Sequence, residues 1–259
     1  MARRAAGNRR RARSLAHGIA GRQDVRRPIS RFWRWLVYGL AILFVAIALV
    51  QGWFFAHILY WVKNNPDTTR IMDTRLAALR EKNPAARLEH VWIDYGRASV
   101  HLKRAIVAAE DAKFVDHEGF DWEGIQRALE KNQRRGKVVA GGSTITQQLA
   151  KNLFLTGERS LLRKAQEAVI TAMLEAVMDK RRILEIYLNV VEWGEGVFGA
   201  EAAARHYFGV SAAAITPEQA ARLAAMLPRP RFYDRNRNSP YLARYAETIM
   251  ARMPAAQLP

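Results

Sequence analysis

The chain has 259 residues, enough for one globular domain and an accessory segment. It contains no cysteine, which excludes disulfides and thiolate metal sites. The formal net charge of +17 would suit nucleic-acid binding, but its distribution argues against that partner. Residues 1–34 hold eleven arginines and one acid, Asp24, and so carry +10 of the total, leaving +7 for the remainder.

The N-terminal part of the chain resembles a membrane anchor. The Arg-, Ala- and Gly-rich stretch 1–31 has no apolar period, so we predict a disordered basic tail over 1–34. No residue from Trp35 to Val62 is charged, and its core, Leu36 to Phe55, is long enough to cross a bilayer core of ~30 Å. A buried core helix or a cleaved signal peptide fits this run less well, because it is long, starts late and lacks a clear cleavage site. We therefore predict one transmembrane helix over 35–62, with the N-terminus cytoplasmic by the positive-inside rule.

The rest of the chain is predicted to be mostly helical, with little strand. A polar connector over 63–90 contains a helix that starts at Asn65-Pro66-Asp67, and Val91–Gly96 is a short strand or an extended entry. Apolar periodicity, capping residues and prolines then predict helices over 100–111, 120–131, 160–179, 181–191, 199–207, 216–227 and 240–253. The glycine-containing stretches 132–142 and 190–199 are predicted to be loops, the first of them basic.

Glu110 is the first residue with a predicted chemical role. It follows the apolar run Ala105–Ala109, and a carboxylate held against apolar surface has a raised pKa, which suits a general base or acid. The alternative is a surface ion pair with Lys113 on the same helix.

A second polar stretch follows a glycine turn, at Gly142–Phe154. Thr144 with Gln147 three residues later matches a capping box, which marks the start of a helix. The exposed N–H groups of such a helix start, with Lys151 one to two turns further, predict an anion site. A capped helix without any ligand is the alternative.

These two stretches resemble the first two motifs of the peptidoglycan glycosyltransferases, glycosyltransferase family 51. Three further stretches resemble the remaining motifs in the same order, so that the five are Glu110–Gly119, Gly142–Phe154, Arg163–Glu167, Lys180–Asn189 and Gly196–Phe208. The resemblance runs from about Val91 to Pro230. Five long motifs in order are far more specific than a single short pattern.

The resemblance implies a mainly α fold, in which a lysozyme-like helical glycosyltransferase domain over 91–253 carries a small membrane-proximal jaw lobe. It implies polymerisation of lipid II, the lipid-linked disaccharide-peptide, into β-1,4 glycan strands. Transfer would invert the anomeric carbon and release undecaprenyl diphosphate, with the catalytic domain on the periplasmic side of the bacterial inner membrane. The chain ends at Pro259 without Ser-x-x-Lys or Lys-Thr-Gly, so we expect the monofunctional biosynthetic type.

The resemblance also implies roles for individual residues. Glu110 would be the general base, and Glu167 the second catalytic carboxylate, which orients the donor or a bound cation. Lys151 and Arg159 would face the diphosphate or the donor sugar. Arg163 and Lys164 either add to that positive field or only pair with Glu167 on their own helix. Polar groups expected to line the substrate cleft are Ser143, Thr144, Gln147, Gln148 and Asn152, while Tyr187, Asn189 and His117 are expected to be structural.

We expect no required cofactor and no protein-built metal site, because the histidines lack ligand spacing. A Mg or Mn ion that bridges the diphosphate is compatible with the sequence. The expected partners are lipid II, the growing glycan strand and the membrane, with cell-division or elongation proteins as compatible additions. Two other functions are weighed: lytic cleavage of peptidoglycan by a lysozyme-like enzyme, and non-enzymatic binding of nucleic acid or anionic lipid through the basic surface.

Overall fold

The computed structural model describes residues 31–137, 141–155, 157 and 160–259. Within them the helices are α1 (Arg31–Trp61), α2 (Arg70–Lys82), α3 (Val100–Glu110), α4 (Trp122–Arg135), α5 (Ile145–Phe154), α6 (Leu161–Val177), α7 (Lys180–Val190), α8 (Ala200–Phe208), α9 (Pro217–Met226), α10 (Pro230–Arg235) and α11 (Pro240–Arg252). The strands are β1 (Glu89–His90), β2 (Glu192–Gly194) and β3 (Val197–Phe198). The mainly α class predicted from the sequence is confirmed.

The chain divides into two units between Leu49 and Val50. The first unit is described by residues 31–49, all helical, and all of these side chains are exposed. Among the described helices, α1 is the one that is long and apolar enough to cross a membrane. It begins at Arg31, slightly earlier than predicted, and the remainder of the predicted disordered tail, residues 1–30, lies outside the described residues.

The second unit starts within α1 and packs the end of that helix against α5 and α6. The rings of Phe54 and Trp61 lie 5.0 and 5.2 Å from the ring of Phe154, at the end of α5. Gln51 and Gln166 exchange two amide hydrogen bonds of 2.8 and 3.0 Å. These contacts connect the C-terminal half of α1 to the helices that carry the second and third sequence motifs.

The core of the second unit is built around α3. Ser99 caps its start by accepting a hydrogen bond from the His101 N–H, the side chains of Leu102 and Ile106 are fully buried, and the helix packs against α9 and α11. Burial of each such side chain contributes roughly 1.5–3 kcal/mol. Helix α9 meets α3 with buried alanines, which allow the two backbones to approach closely. The result is a rigid α3 that ends at Glu110.

A three-stranded sheet has two of its strands, β2 and β3, in the stretch 190–199 that was predicted to be a loop, and the third, β1, at the end of the predicted connector 63–90. Its order is β1-β3-β2; β1 pairs with β3 in parallel and β2 pairs with β3 in antiparallel. The sequence analysis predicted a short strand or an extended entry over Val91–Gly96, and the strand lies immediately before this stretch, at Glu89–His90. The pairing of β1 with β3 joins residues about a hundred positions apart, such as Glu89 and Val197, so a local alternation pattern could not show it.

Two further helix boundaries differ by several residues from those predicted, and one helix was not predicted. Helix α2 starts at Arg70 with Thr69 as its N-cap, not at Asn65-Pro66-Asp67. Helix α4 continues to Arg135, where Gly136 ends it in the left-handed conformation, so part of the predicted basic loop is helical. Helix α10 was not predicted; Pro230, expected only to stop a helix, occupies the first turn of this one, where its missing N–H costs nothing.

Asn189 holds the extended segment that leads into α3. Its side chain is fully buried, accepts a hydrogen bond from the Ile93 N–H and donates one to the Ile93 carbonyl, both at 2.8 Å. Its amide also donates to the Glu185 carbonyl. Asn189 thus supplies partners for the N–H and the carbonyl of Ile93, a buried residue that has no strand partner among the described residues. This is the structural role that was predicted for Asn189.

We expect Asn189→Ala to destabilise the domain by about 2–4 kcal/mol, because it leaves both backbone groups of Ile93 buried without partners. Thermal unfolding of the full chain in detergent micelles, followed by circular dichroism, measures the effect. Asn238→Ala, at an exposed turn position, is the matched control and should change stability by less than about 0.5 kcal/mol. Equal melting temperatures for the two variants would contradict this role of Asn189.

Candidate active site

Glu110 is the last residue of α3 and is half-buried. Burial raises the pKa of its carboxyl group, and the negative charge of Asp111 acts in the same direction. A hydrogen bond from Gln148 and the positive charge of Lys151 oppose the rise without cancelling it. The surface pair with Lys113 does not form, because Lys113 bonds Glu123 at 2.6 Å.

Asp111 connects the end of α3 to the start of α5. Its buried carboxylate accepts hydrogen bonds from His117 Nε2 at 3.0 and 3.2 Å and from the backbone N–H of Ile145 at 3.0 Å. The predicted structural role of His117 is confirmed by these bonds. The sequence analysis assigned no role to Asp111, although its place next to Glu110 and six residues before a histidine was a usable signal.

The start of α5 has the predicted capping box. The Gln147 N–H donates to Thr144 Oγ1 at 3.2 Å, and the Thr144 N–H donates to Gln147 Oε1 at 3.1 Å. Thr144 also donates to the carbonyl of Gly119 at 2.7 Å. Gly119 has a φ of +85°, and a Cβ there would lie 2.8 Å from a methyl carbon of Thr171, so only glycine fits this turn.

The anion site predicted at this helix start is wrong. The N–H groups of Ile145 and Gln147 are bonded to Asp111 and Thr144. The positive end of the helix is therefore occupied by a carboxylate of the protein itself.

The predicted cleft residues are divided by the fold. Thr144, Gln147 and Asn152 are buried, Gln148 is half-buried, and Ser143 is exposed. The polar groups of Thr144 and Gln147 are used in the cap, so their expected contact with substrate stays a prediction, as does that of the other three.

Gln148 links Glu110 to α7. Its Nε2 donates to Glu110 Oε2 at 2.6 Å, and its Oε1 accepts a hydrogen bond from the Tyr187 hydroxyl at 3.0 Å. Tyr187 is fully buried. Three helices, α3, α5 and α7, thus each contribute one side chain to a continuous hydrogen-bonded row.

The charge of Lys151 interacts with both predicted catalytic carboxylates, Glu110 and Glu167. Burial lowers the pKa of its ammonium group, while the negative charges of Glu167 and Glu110 both raise it. Glu167 is buried on α6, bonds Arg163 Nη1 at 2.7 Å and also pairs with Lys164. The fold thus brings Glu110, Lys151 and the Glu167 cluster together, and Arg159 lies outside the described residues.

Arg163 and Lys164 make the intrahelical ion pairs that the sequence analysis weighed as their alternative role. Their charges are directed to Glu167, so their expected contact with diphosphate stays a prediction. Among the described residues, no three His, Asp or Glu side chains group to hold a metal ion.

An aromatic cavity is lined by residues of α9, α10 and α11. It has a volume of about 390 Å³, and its lining includes Arg229, Phe232, Tyr233, Tyr241 and Tyr245. Burial raises the pKa of Tyr245, and the charge of Glu110 adds to the rise, so Tyr245 is near the candidate base. The sequence analysis missed this residue, since it lies about 130 positions from Glu110 and outside every motif.

The sequence matches the transglycosylase family over residues 77–254, a range that contains every described residue of this site. A biosynthetic peptidoglycan transglycosylase of Laribacter hongkongensis is 61% identical over 226 residues, 87% of this chain and 99% of that protein. Proteins with the same description from Methylobacillus flagellatus and Azoarcus sp. are each 60% identical, over 88% and 89% of this chain and 98% and 100% of their own lengths. These similarities agree with the five motifs in the sequence, and the chain belongs to the transglycosylase family.

Proposed function

We propose that this protein polymerises lipid II into β-1,4 glycan strands of peptidoglycan. The observation that carries the proposal is the half-buried carboxyl group of Glu110, whose pKa burial raises, within the electrostatic reach of Lys151. A carboxylate with a raised pKa is a stronger base, which suits removal of a proton from a sugar hydroxyl. The match covers almost the full length of each relative, and these proteins are described as biosynthetic transglycosylases. Nothing in the comparisons supports lytic cleavage.

The proposed reaction uses the negative charge of Glu110 and the positive charge of Lys151. The 4-hydroxyl oxygen of the acceptor sugar attacks the anomeric carbon of the donor, and its proton passes to Glu110. The new carbon–oxygen bond forms as the bond to the diphosphate breaks, with inversion, and undecaprenyl diphosphate leaves with the bonding electrons. The positive charge of Lys151 stabilises the charge that develops on the leaving group. Arg163 and Lys164, which pair with Glu167, add to this field, and Glu167 orients the donor.

We expect Glu110→Gln to lower the polymerisation rate by about 10²–10⁴-fold, because an amide of the same shape cannot take the proton. The measurement is formation of polymer from labelled lipid II by the full chain in detergent, together with the affinity for the lipid, which should change little. Glu123→Gln is the matched control, since Glu123 has a 70% exposed side chain in a surface ion pair. Full activity of Glu110→Gln would refute the general-base role.

We propose a location in the bacterial inner membrane, with α1 spanning the bilayer once and the transglycosylase domain in the periplasm. The length and apolar composition of α1 support a span, and the eleven arginines of residues 1–34 support a cytoplasmic N-terminus. Cell-division or elongation proteins are proposed as partners only on the grounds of the proposed reaction.

Protease added to intact spheroplasts should therefore digest the domain C-terminal to α1 and leave an N-terminal epitope tag protected. Lysed spheroplasts, in which the tag is digested too, provide the control. Protection of the whole chain in intact spheroplasts would contradict this orientation.

We also propose that the reaction requires no metal cofactor, since side-chain cations can stabilise the diphosphate. Polymerisation should then stay within about twofold of its initial rate when EDTA is added in excess. Loss of activity that Mg or Mn restores would show instead that a divalent ion bridges the diphosphate and a carboxylate.

A further inference from the structure

The row of hydrogen bonds from Tyr187 through Gln148 to Glu110 has a defined direction. Tyr187 donates to Gln148 Oε1 at 3.0 Å, and Gln148 Nε2 donates to Glu110 Oε2 at 2.6 Å. If the amide were turned over, its oxygen would face the carboxylate, and two acceptors would be in contact. While Glu110 is ionised, its carboxylate opposes that orientation, and the Tyr187 hydroxyl stabilises the observed one by donating to Oε1.

Tyr187 is suited to remain a donor. Its side chain is completely buried on α7, and burial together with the charges of Glu110 and Asp111 raises its pKa well above the ordinary value. The hydroxyl therefore keeps its proton at every pH at which an enzyme of this kind would work. Its proton is thus available for the bond to Gln148 Oε1, which stabilises the amide in the orientation that the Glu110 carboxylate requires.

We propose that Tyr187 and Gln148 are positioning residues that hold Glu110 by its Oε2 atom, so that the proton of the acceptor hydroxyl is taken by Oε1. The inference rests on the proposed function of Glu110 as general base. It gives Tyr187 a positioning role in the reaction. It also means that the amide of Gln148 bonds Glu110 and Tyr187 and does not bind the substrate directly.

The hydrogen bond has a second consequence. It favours the ionised carboxylate and so works against burial, which favours the neutral acid. Four other titratable groups interact electrostatically with Glu110, namely Asp111, Lys151, Tyr187 and Tyr245. Glu110 loses its proton as pH rises, so the acid limb of the pH–rate profile follows its pKa. Weakening the bond from Gln148 must move that limb to higher pH.

We expect Tyr187→Phe to lower kcat about fivefold to tenfold, with KM for lipid II changed by less than about twofold. The acid limb of the kcat–pH profile should move up by about 0.5 in pH, because the freed amide bonds the carboxylate less well. Tyr95→Phe is the matched control. Tyr95 is also a buried tyrosine that donates one hydrogen bond, to the Pro259 carbonyl, and its neighbour Lys103 is two turns of α3 before Glu110.

A double-mutant cycle with Gln148→Met separates this role from a general loss of packing, because methionine keeps the size of the side chain and removes its N–H groups. If Tyr187 acts through Gln148, Tyr187→Phe should cost less than about twofold in the Gln148→Met background. Equal costs in both backgrounds, or an unchanged kcat and acid limb in Tyr187→Phe, would overturn the proposal. Full activity of Glu110→Gln would instead remove the proposed function, so the two failures are distinguishable.

Discussion

The site depends on one buried carboxylate, that of Asp111. A buried charge without partners costs several kcal/mol, and Asp111 is stabilised by hydrogen bonds from His117 and from the first backbone N–H of α5. Because these two partners belong to different segments, the end of α3 must stay against the start of α5. Glu110, the preceding residue, is thereby held where Gln148 can reach it from one turn further along α5. The residue that sets the geometry is thus the neighbour of the candidate base.

The charges of the site are balanced against one another. Burial raises the pKa of Glu110 and lowers that of Lys151, and each of the two charges counters the shift of the other. Arg163 and Lys164 are held by Glu167, whereas the charge of Lys151 interacts with both Glu167 and Glu110. The negative charge of a departing diphosphate would favour the protonated, positively charged form of Lys151. This arrangement suits a reaction in which a proton and a diphosphate move in opposite directions.

The same helices are in contact with the end of α1. Phe154 at the end of α5 packs against Phe54 and Trp61, and Gln166 on α6 exchanges hydrogen bonds with Gln51. Helices α5 and α6 also carry Lys151 and Glu167. A lipid-linked substrate held in a bilayer would place its diphosphate near the membrane surface, which is where a helix of this length and composition would end. The proposed substrate and the proposed anchor are therefore consistent with one set of contacts.

The sequence by itself determined the helical class, the apolar anchor helix, the capping box of α5, and the family. These features depend on residues that are close in the chain or on motifs several residues long. Only the tertiary structure decided the rest. The sheet needs Glu89 beside Val197, the anion site at α5 is filled by Asp111 from 34 positions earlier, and Tyr187 reaches Gln148 across 39 positions. Hydrogen bonds and desolvation act through space, so no local pattern shows which polar group a buried carboxylate will meet.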